Sequence, residues 1–156
     1  MTRIRFGRAD SAIGPVWMAE TDAGIAACSR ADSPQPMVAA LRRRFPGAEV
    51  EPTRGDPTPT LRGEPRLDLR GLSAFDAAVY RAVAAIPRGQ TLTYGDVARL
   101  IGSPGAARAV GGAMARCPLF PVVPCHRVVR ASDGWSGWGG DVELKRRLLA
   151  AERRRR

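Results

Sequence analysis

The residues best suited to chemistry lie in Pro124-Cys125-His126-Arg127-Val128-Val129, where a cysteine directly precedes the only histidine of the 156-residue chain. Cysteine is a nucleophile as its thiolate, and a neighbouring base or positive charge lowers its pKa. In an extended strand adjacent side chains point to opposite faces, so Cys125 and His126 could not meet there. They come within reach, directly or through a water, only if the backbone turns, and Pro124 supplies a cause for such a turn. Taken alone, the pair reads most simply as a buried cysteine ending an apolar strand beside a satisfied histidine. The surroundings decide.

Composition narrows the classes. The length allows one domain or two small ones, and 44% hydrophobic residues are enough for a core. No apolar run approaches the ~20 residues that span a bilayer, so no membrane partner is expected. Met1-Thr2-Arg3-Ile4-Arg5 has no apolar leader character, which points to the cytoplasm. Cys28, Cys117 and Cys125 are an odd set and read as free thiols. With one histidine and no C-x-x-C pair, a structural zinc site is not expected. The formal charge is +10, and Lys145 is the sole lysine among 25 basic residues. Arginine favours planar bidentate partners such as phosphate, so nucleic acid is the partner this charge suggests. A coding bias toward arginine is the competing explanation, and it suits the Arg153–Arg156 tail, read as a loose cationic end.

The elements that must position the pair can be read in outline. Residues 3–29 form a small β-unit, with strands at Val16–Ala19 and Ile25–Cys28 around a turn at Thr21–Gly24. Met37, Val38, Leu41 and Phe45 fall at helical spacing over residues 36–45. Residues 46–66, with five prolines and three glycines, read as a linker or surface loop. From Leu67 the character changes. Ser73 with Asp76 is a helix start, and Phe75, Val79, Ala82, Val83 and Ile86 make its apolar stripe. Thr93 with Asp96 caps a second helix carrying Val97, Leu100 and Ile101. After Ser103-Pro104-Gly105 comes a third, residues 106–116, built almost wholly of Ala and Gly. These last two helices outline a helix-turn-helix.

Gly111 and Gly112 each cost that third helix about 1 kcal/mol relative to alanine. A helix carrying that cost gains close approach to something bulky: a neighbouring helix or a nucleic-acid backbone. Residues 106–116 hold no Asn, Gln or Lys to read base edges, and Arg108 is a long cation among small neighbours. That favours backbone docking or minor-groove entry over sequence readout, and a tightly packed core helix fits equally well. Ser132–Gly140 is a Gly-rich loop with Trp135 and Trp138, able to wrap a planar ligand or to plug the edge of a core. Val142, Leu144, Leu148 and Leu149 line a closing helix that carries Glu152.

Pro124-Cys125-His126-Arg127-Val128 resembles the signature of the O6-alkylguanine–DNA alkyltransferases, the methylated-DNA–protein-cysteine methyltransferases. Thr93-Tyr94, the Ala106–Met114 helix, Gly137-Trp138 and Lys145…Leu148-Leu149…Glu152 follow in the same order and near the same spacing, so the resemblance covers residues 72–152. It implies an α/β fold: a small RNase-H-like N-terminal domain with linker (1–66), then a mainly helical C-terminal domain (67–156) with a helix-turn-helix. It also implies stoichiometric, irreversible transfer of an alkyl group from O6-alkylguanine, and from O4-alkylthymine, to the protein's own cysteine, without a cofactor. The partner would be double-stranded DNA, entered from the minor groove by a monomer, with the damaged base flipped out of the stack. By resemblance Cys125 is the alkyl acceptor, His126 its base through a water, and Glu152 the residue that orients the imidazole. Tyr94 would rotate the nucleotide and protonate the leaving guanine, and Arg108 would fill the vacated stack. Ala107, Gly111, Gly112 and Arg116 would meet DNA, and Met114, Val128, Trp138 and Gly139 would border the base pocket.

The chain departs from the family pattern in three places. Cys117 stands where asparagine is usual, and a thiol bridges backbone groups poorly. Trp138 replaces tyrosine, and Asp141 stands where a second glycine is common. Two other classes compete: a non-catalytic protein that binds alkylated bases and signals to other repair systems, and a helix-turn-helix regulator. Cys125 argues against the first, and the lack of base-reading side chains on residues 106–116 against the second. If the basic surface meets phosphates, affinity for duplex DNA should fall roughly a thousandfold between about 50 and 200 mM salt for about six phosphate contacts. A flat salt dependence measured by fluorescence anisotropy would remove the arginines from the interface.

Overall fold

The computed structural model describes residues 1–132 and 141–154, which fall into two compact units. The first comprises Met1–Leu72 with Pro118–Val122, and the second Ser73–Cys117 with Val123–Arg156.

The first unit is a four-stranded sheet in the order β3-β2-β1-β4. Strands β1 (Arg3–Ser11), β2 (Gly14–Thr21) and β3 (Gly24–Ser29) form an antiparallel meander, and β4 (Glu49–Pro52) joins β1 in parallel. A parallel neighbour needs a crossover, and helix α1 (Gln35–Arg44) lies on it. The helix lays Met37 and Leu41, followed by Phe45, on Ile4, Ala19, Ala26 and Ala27 of the sheet. The sequence separates β1 poorly from the general β-unit because Gly7 interrupts its alternation. The linker reading of residues 46–66 is corrected. That stretch holds β4, and also a short helix α2 (Thr58–Arg62) that buries Leu61. Both were hidden by proline. β4 is recruited by pairing with β1 and has little apolar pattern of its own, while α2 carries Pro59 in its first turn, where a missing N–H costs nothing.

Polar groups close this unit. The Arg44 guanidinium donates to the carbonyls of Ala26 and Arg70, both at 2.6 Å, and to that of Asp68. The Asp68 carboxylate is 2% exposed and accepts from Arg70 Nη2 at 2.6 Å and Nε at 2.9 Å, and from the Thr21 hydroxyl at 2.5 Å. Burial works to raise its pKa, but these donors overcome it and hold the carboxyl at about 2.

The second unit is mainly helical. Helix α3 (Ala74–Ala84) is capped by Ser73, whose hydroxyl accepts the Asp76 N–H at 3.1 Å. Its buried face is Ala77, Val79, Tyr80 and Val83. The expected stripe is therefore rotated: Phe75 and Ala82 are half-buried, and Tyr80 turns inward because its hydroxyl reaches the Ala113 carbonyl at 2.7 Å. Helix α4 (Tyr94–Leu100) opens with the anticipated capping box, Thr93 and Asp96 each bonding the other's backbone N–H at 2.9–3.0 Å. Leu100, expected on the apolar face, is 65% exposed. Helix α5 (Ala107–Ala115) buries Val110, Ala113 and Met114. Strand β5 (Leu92–Thr93) pairs in parallel with β6 (Val128–Val129), and α6 (Val142–Arg154) closes the unit. Among the described residues no helix is long and apolar enough to cross a membrane.

The depressed Asp68 carboxyl makes the first unit acid-sensitive. Its contribution is fully present above the ordinary carboxylate range and is lost as pH falls toward 2. Asp68→Asn should therefore lower stability by about 2 kcal/mol near pH 7 in urea unfolding, with the deficit shrinking on acidification. A deficit that does not change with pH would refute this.

Candidate active site

The chain turns where the sequence requires it. Cys125–Arg127 form one turn of 3-10 helix that runs straight into β6. Pro124 enters it with φ −79° and ψ 70°, and its carbonyl accepts the Arg127 N–H at 2.9 Å. The Cys125 N–H donates to the Val123 carbonyl at 2.8 Å. Pairing of Thr93 with Val129 brings Tyr94, the first residue of α4, to the neighbouring strand end. Both reactive side chains are inside: Cys125 is 1% exposed and His126 4%.

His126 Nε2 lies 2.8 Å from Glu152 Oε1. An ionised carboxylate only accepts, so Nε2 carries the proton and Nδ1 keeps its lone pair. Glu152, 6% exposed on α6, is also gripped by Arg127, whose Nη2 is 2.8 Å from Oε1 and whose Nε is 3.1 Å from Oε2. Arg127 Nη1 continues to the Ile86 carbonyl at 2.8 Å, just past α3. Burial would raise the Glu152 carboxyl, but Arg127 and His126 hold it below the usual range. Burial pushes His126 down, against the pull of Glu152, so the resting imidazole is neutral and able to take a proton.

Sequence reasoning left Arg127 and Lys145 without roles. Both were visible only as charged residues in an apolar context. Lys145 is fully buried and its Nζ donates to the Val128 carbonyl at 2.6 Å, tying α6 to β6. Tyr80, likewise unforeseen, is buried, and burial, then the charges of Cys117, Asp76 and Cys125, push its phenol up.

The sulfur departs from expectation. The neighbouring Cys117 thiol and then burial push the Cys125 thiol well up, with the local backbone and Lys145 offsetting only part. The resting Cys125 is thus a neutral thiol, not a thiolate preformed by its histidine neighbour. A lone buried sulfur anion would be costly, and a second thiol is a weak partner for one.

The other predicted residues divide. Arg108 is exposed on α5, Ala107, Gly111 and Gly112 are half-buried there, and Tyr94 is half-buried at the start of α4. Arg116 Nη2 is paired with Asp76 at 2.9 Å. Met114 and Val128 are buried. Trp138 and Gly139 lie outside the described residues. A Cβ at Gly111 would meet nothing within 4 Å, so among the described residues no internal packing demands that glycine. Groups of three or more potential metal ligands do not occur among the described residues.

Removing Arg127 would leave a buried carboxylate and the Ile86 carbonyl without it. Arg127→Ala should cost about 3 kcal/mol in chemical denaturation, and Arg127→Lys should restore only part, since a lysine has no fork. A loss below about 1 kcal/mol would show the clamp to be dispensable.

Residues 74–154 match the family model described as 6-O-methylguanine DNA methyltransferase, DNA binding domain. The methylated-DNA–protein-cysteine methyltransferase of Mycolicibacterium paratuberculosis is 54% identical over 88 residues, covering 56% of this chain and 53% of that protein. The chain thus spans about half the length of the curated relatives it matches first. Among solved structures, the O6-methylguanine methyltransferase of Mycobacterium tuberculosis superposes with a TM-score of 0.70 at 31% identity, covering 100% of this chain and 95% of that one. The same organism's OGT in complex with DNA gives 0.65 at 29% identity, covering 97% and 94%. The family model spans more than half of the sequence and contains the whole Cys125–His126–Glu152 constellation: the chain belongs to the 6-O-methylguanine DNA methyltransferase family.

Proposed function

We propose that this protein repairs DNA by moving an alkyl group from guanine O6, and from thymine O4, irreversibly onto Cys125. The observation that carries the reading is the buried, Arg127-clamped Glu152–His126 pair directly following a buried cysteine. As sulfur attacks the alkyl carbon, the S–C bond forms, the C–O6 bond breaks, and the electron pair passes to the guanine. The thiol proton leaves through a water to His126 Nδ1, and the Glu152 carboxylate stabilises the imidazolium as it forms. Tyr94 gives a proton toward the leaving guanine. Because the resting thiol is neutral, deprotonation belongs to the reaction and does not precede it. The product is a thioether, which no nearby group can hydrolyse, so each molecule reacts once.

In this reading α4 and α5 form a helix-turn-helix, and the sheet unit is RNase-H-like. Helix α5 enters the minor groove, with Ala107, Gly111, Gly112 and Arg116 against the backbone. The open space at Gly111 supports this, because a glycine that nothing inside the protein requires leaves room for a partner. Exposed Arg108 fills the stack after the base flips, at a cost of a few kcal/mol in unstacking. Met114, Val128, Trp138 and Gly139 border the flipped base. The protein acts as a monomer in the cytoplasm.

Incubation with a duplex containing O6-methylguanine should raise the intact mass by about 14 Da, mapped to Cys125 and absent in Cys125→Ser. Unchanged mass with retained binding to the damaged duplex would overturn alkyl transfer and leave a non-catalytic damage-binding protein.

A further inference from the structure

The two neighbouring glycines of α5 face different surroundings. A Cβ at Gly111 would meet nothing within 4 Å, whereas one at Gly112 would come to 3.0 Å from Arg116 Nη1. Gly112 thus leaves room for the Arg116 guanidinium to lie back along its own helix. There the guanidinium meets α3: Nη2 donates to Asp76 Oδ1 at 2.9 Å and Nε to Oδ2 at 3.4 Å, a fork on one carboxylate. Asp76 lies in the first turn of α3, one turn before Tyr80, whose hydroxyl bonds the Ala113 carbonyl of α5. The pair is asymmetric: the Arg116 side chain is 60% exposed and that of Asp76 14%. The cation is therefore open to a second anion while its present partner is recessed. A pair with so exposed a member holds by a factor of only about two to five. A backbone phosphate offers the same two-oxygen face to a guanidinium.

We propose that Asp76 and a DNA backbone phosphate compete for Arg116, so that docking of α5 on a duplex exchanges the carboxylate for a phosphate. In the free protein Arg116 is folded back on Asp76, and in the complex its fork turns outward onto the backbone. The carboxylate left behind sits in the first turn of α3, where the helix dipole favours a negative charge, so it stays ionised without its arginine. Every duplex, damaged or not, presents the phosphate. Asp76 therefore lowers affinity for the whole backbone and leaves recognition of the alkylated base untouched. The exchange rests on the reading that α5 docks on DNA, and not on alkyl transfer.

The test titrates the whole chain against an undamaged, fluorescently labelled duplex over a range of salt. Asp76→Asn should tighten binding about twofold to fivefold. Arg116→Ala should weaken it and flatten the slope of log affinity against log salt by about 0.9, the loss of one phosphate contact. In the Arg116→Ala background the gain from Asp76→Asn should disappear. An equal gain in both backgrounds would mean that Asp76 merely repels the duplex, and would overturn the exchange. Unchanged or weaker binding by Asp76→Asn, or an unchanged slope in Arg116→Ala, would overturn it too. Asp76→Asn should accept methyl from free O6-methylguanine base at the unsubstituted rate, which shows its fold and Cys125 intact. If no variant binds duplex while transfer from the free base persists, the docking reading falls and the exchange with it. The expected binding pattern in a protein that never accepts methyl would overturn alkyl transfer and leave the exchange standing.

Discussion

The buried carboxylate of Glu152 is the constraint on which the site depends. An ion taken out of water costs several kcal/mol unless its lone pairs are met. Here they are met by Arg127 on one side and the imidazole of His126 on the other. The pairing sets the tautomer of the histidine, because the carboxylate can only accept. It also links three stretches remote in sequence: the end of α3 through the Ile86 carbonyl, the 3-10 turn, and α6. Lys145 lies seven residues before Glu152, two turns along the same helix face, and fastens α6 to β6. The closing helix is therefore part of the reactive centre.

The sulfur beside this charged assembly stays neutral. Arg127 is neutralised by Glu152, and the charge of Lys145 offsets only part of the cost of ionising the buried sulfur. The neighbouring Cys117 thiol and burial oppose the ionisation of Cys125. Cys117 thus acts on the charge state of Cys125.

Much of this was legible in the sequence. The Ser73 and Thr93 caps, α1 and the α4–α5 pair follow from local chemistry, because capping and apolar spacing act within a few residues. The turn at Pro124 follows from the requirement that two adjacent side chains cooperate. β4 and α2 were not legible, since each is defined by a partner remote in sequence. Tyr80 was missed because its inward position depends on the Ala113 carbonyl, and Leu100 because it was assigned by period alone although its side chain faces out. Arg127 and Lys145 read as ordinary cations, and their burial depends on a carboxylate and a carbonyl that only the folded chain brings near. Glu152 was named by family resemblance; spacing alone offers nothing that links it to His126.

With a single histidine in the chain, its imidazole can be watched without ambiguity. Nitrogen-15 NMR of the ring across pH tests the central claim most directly. The account predicts one locked tautomer, protonated at Nε2, with the ring titrating below the ordinary histidine midpoint of about 6.5. Averaged tautomers titrating near that ordinary midpoint would contradict it, because the imidazole would then be neither buried nor held by Glu152.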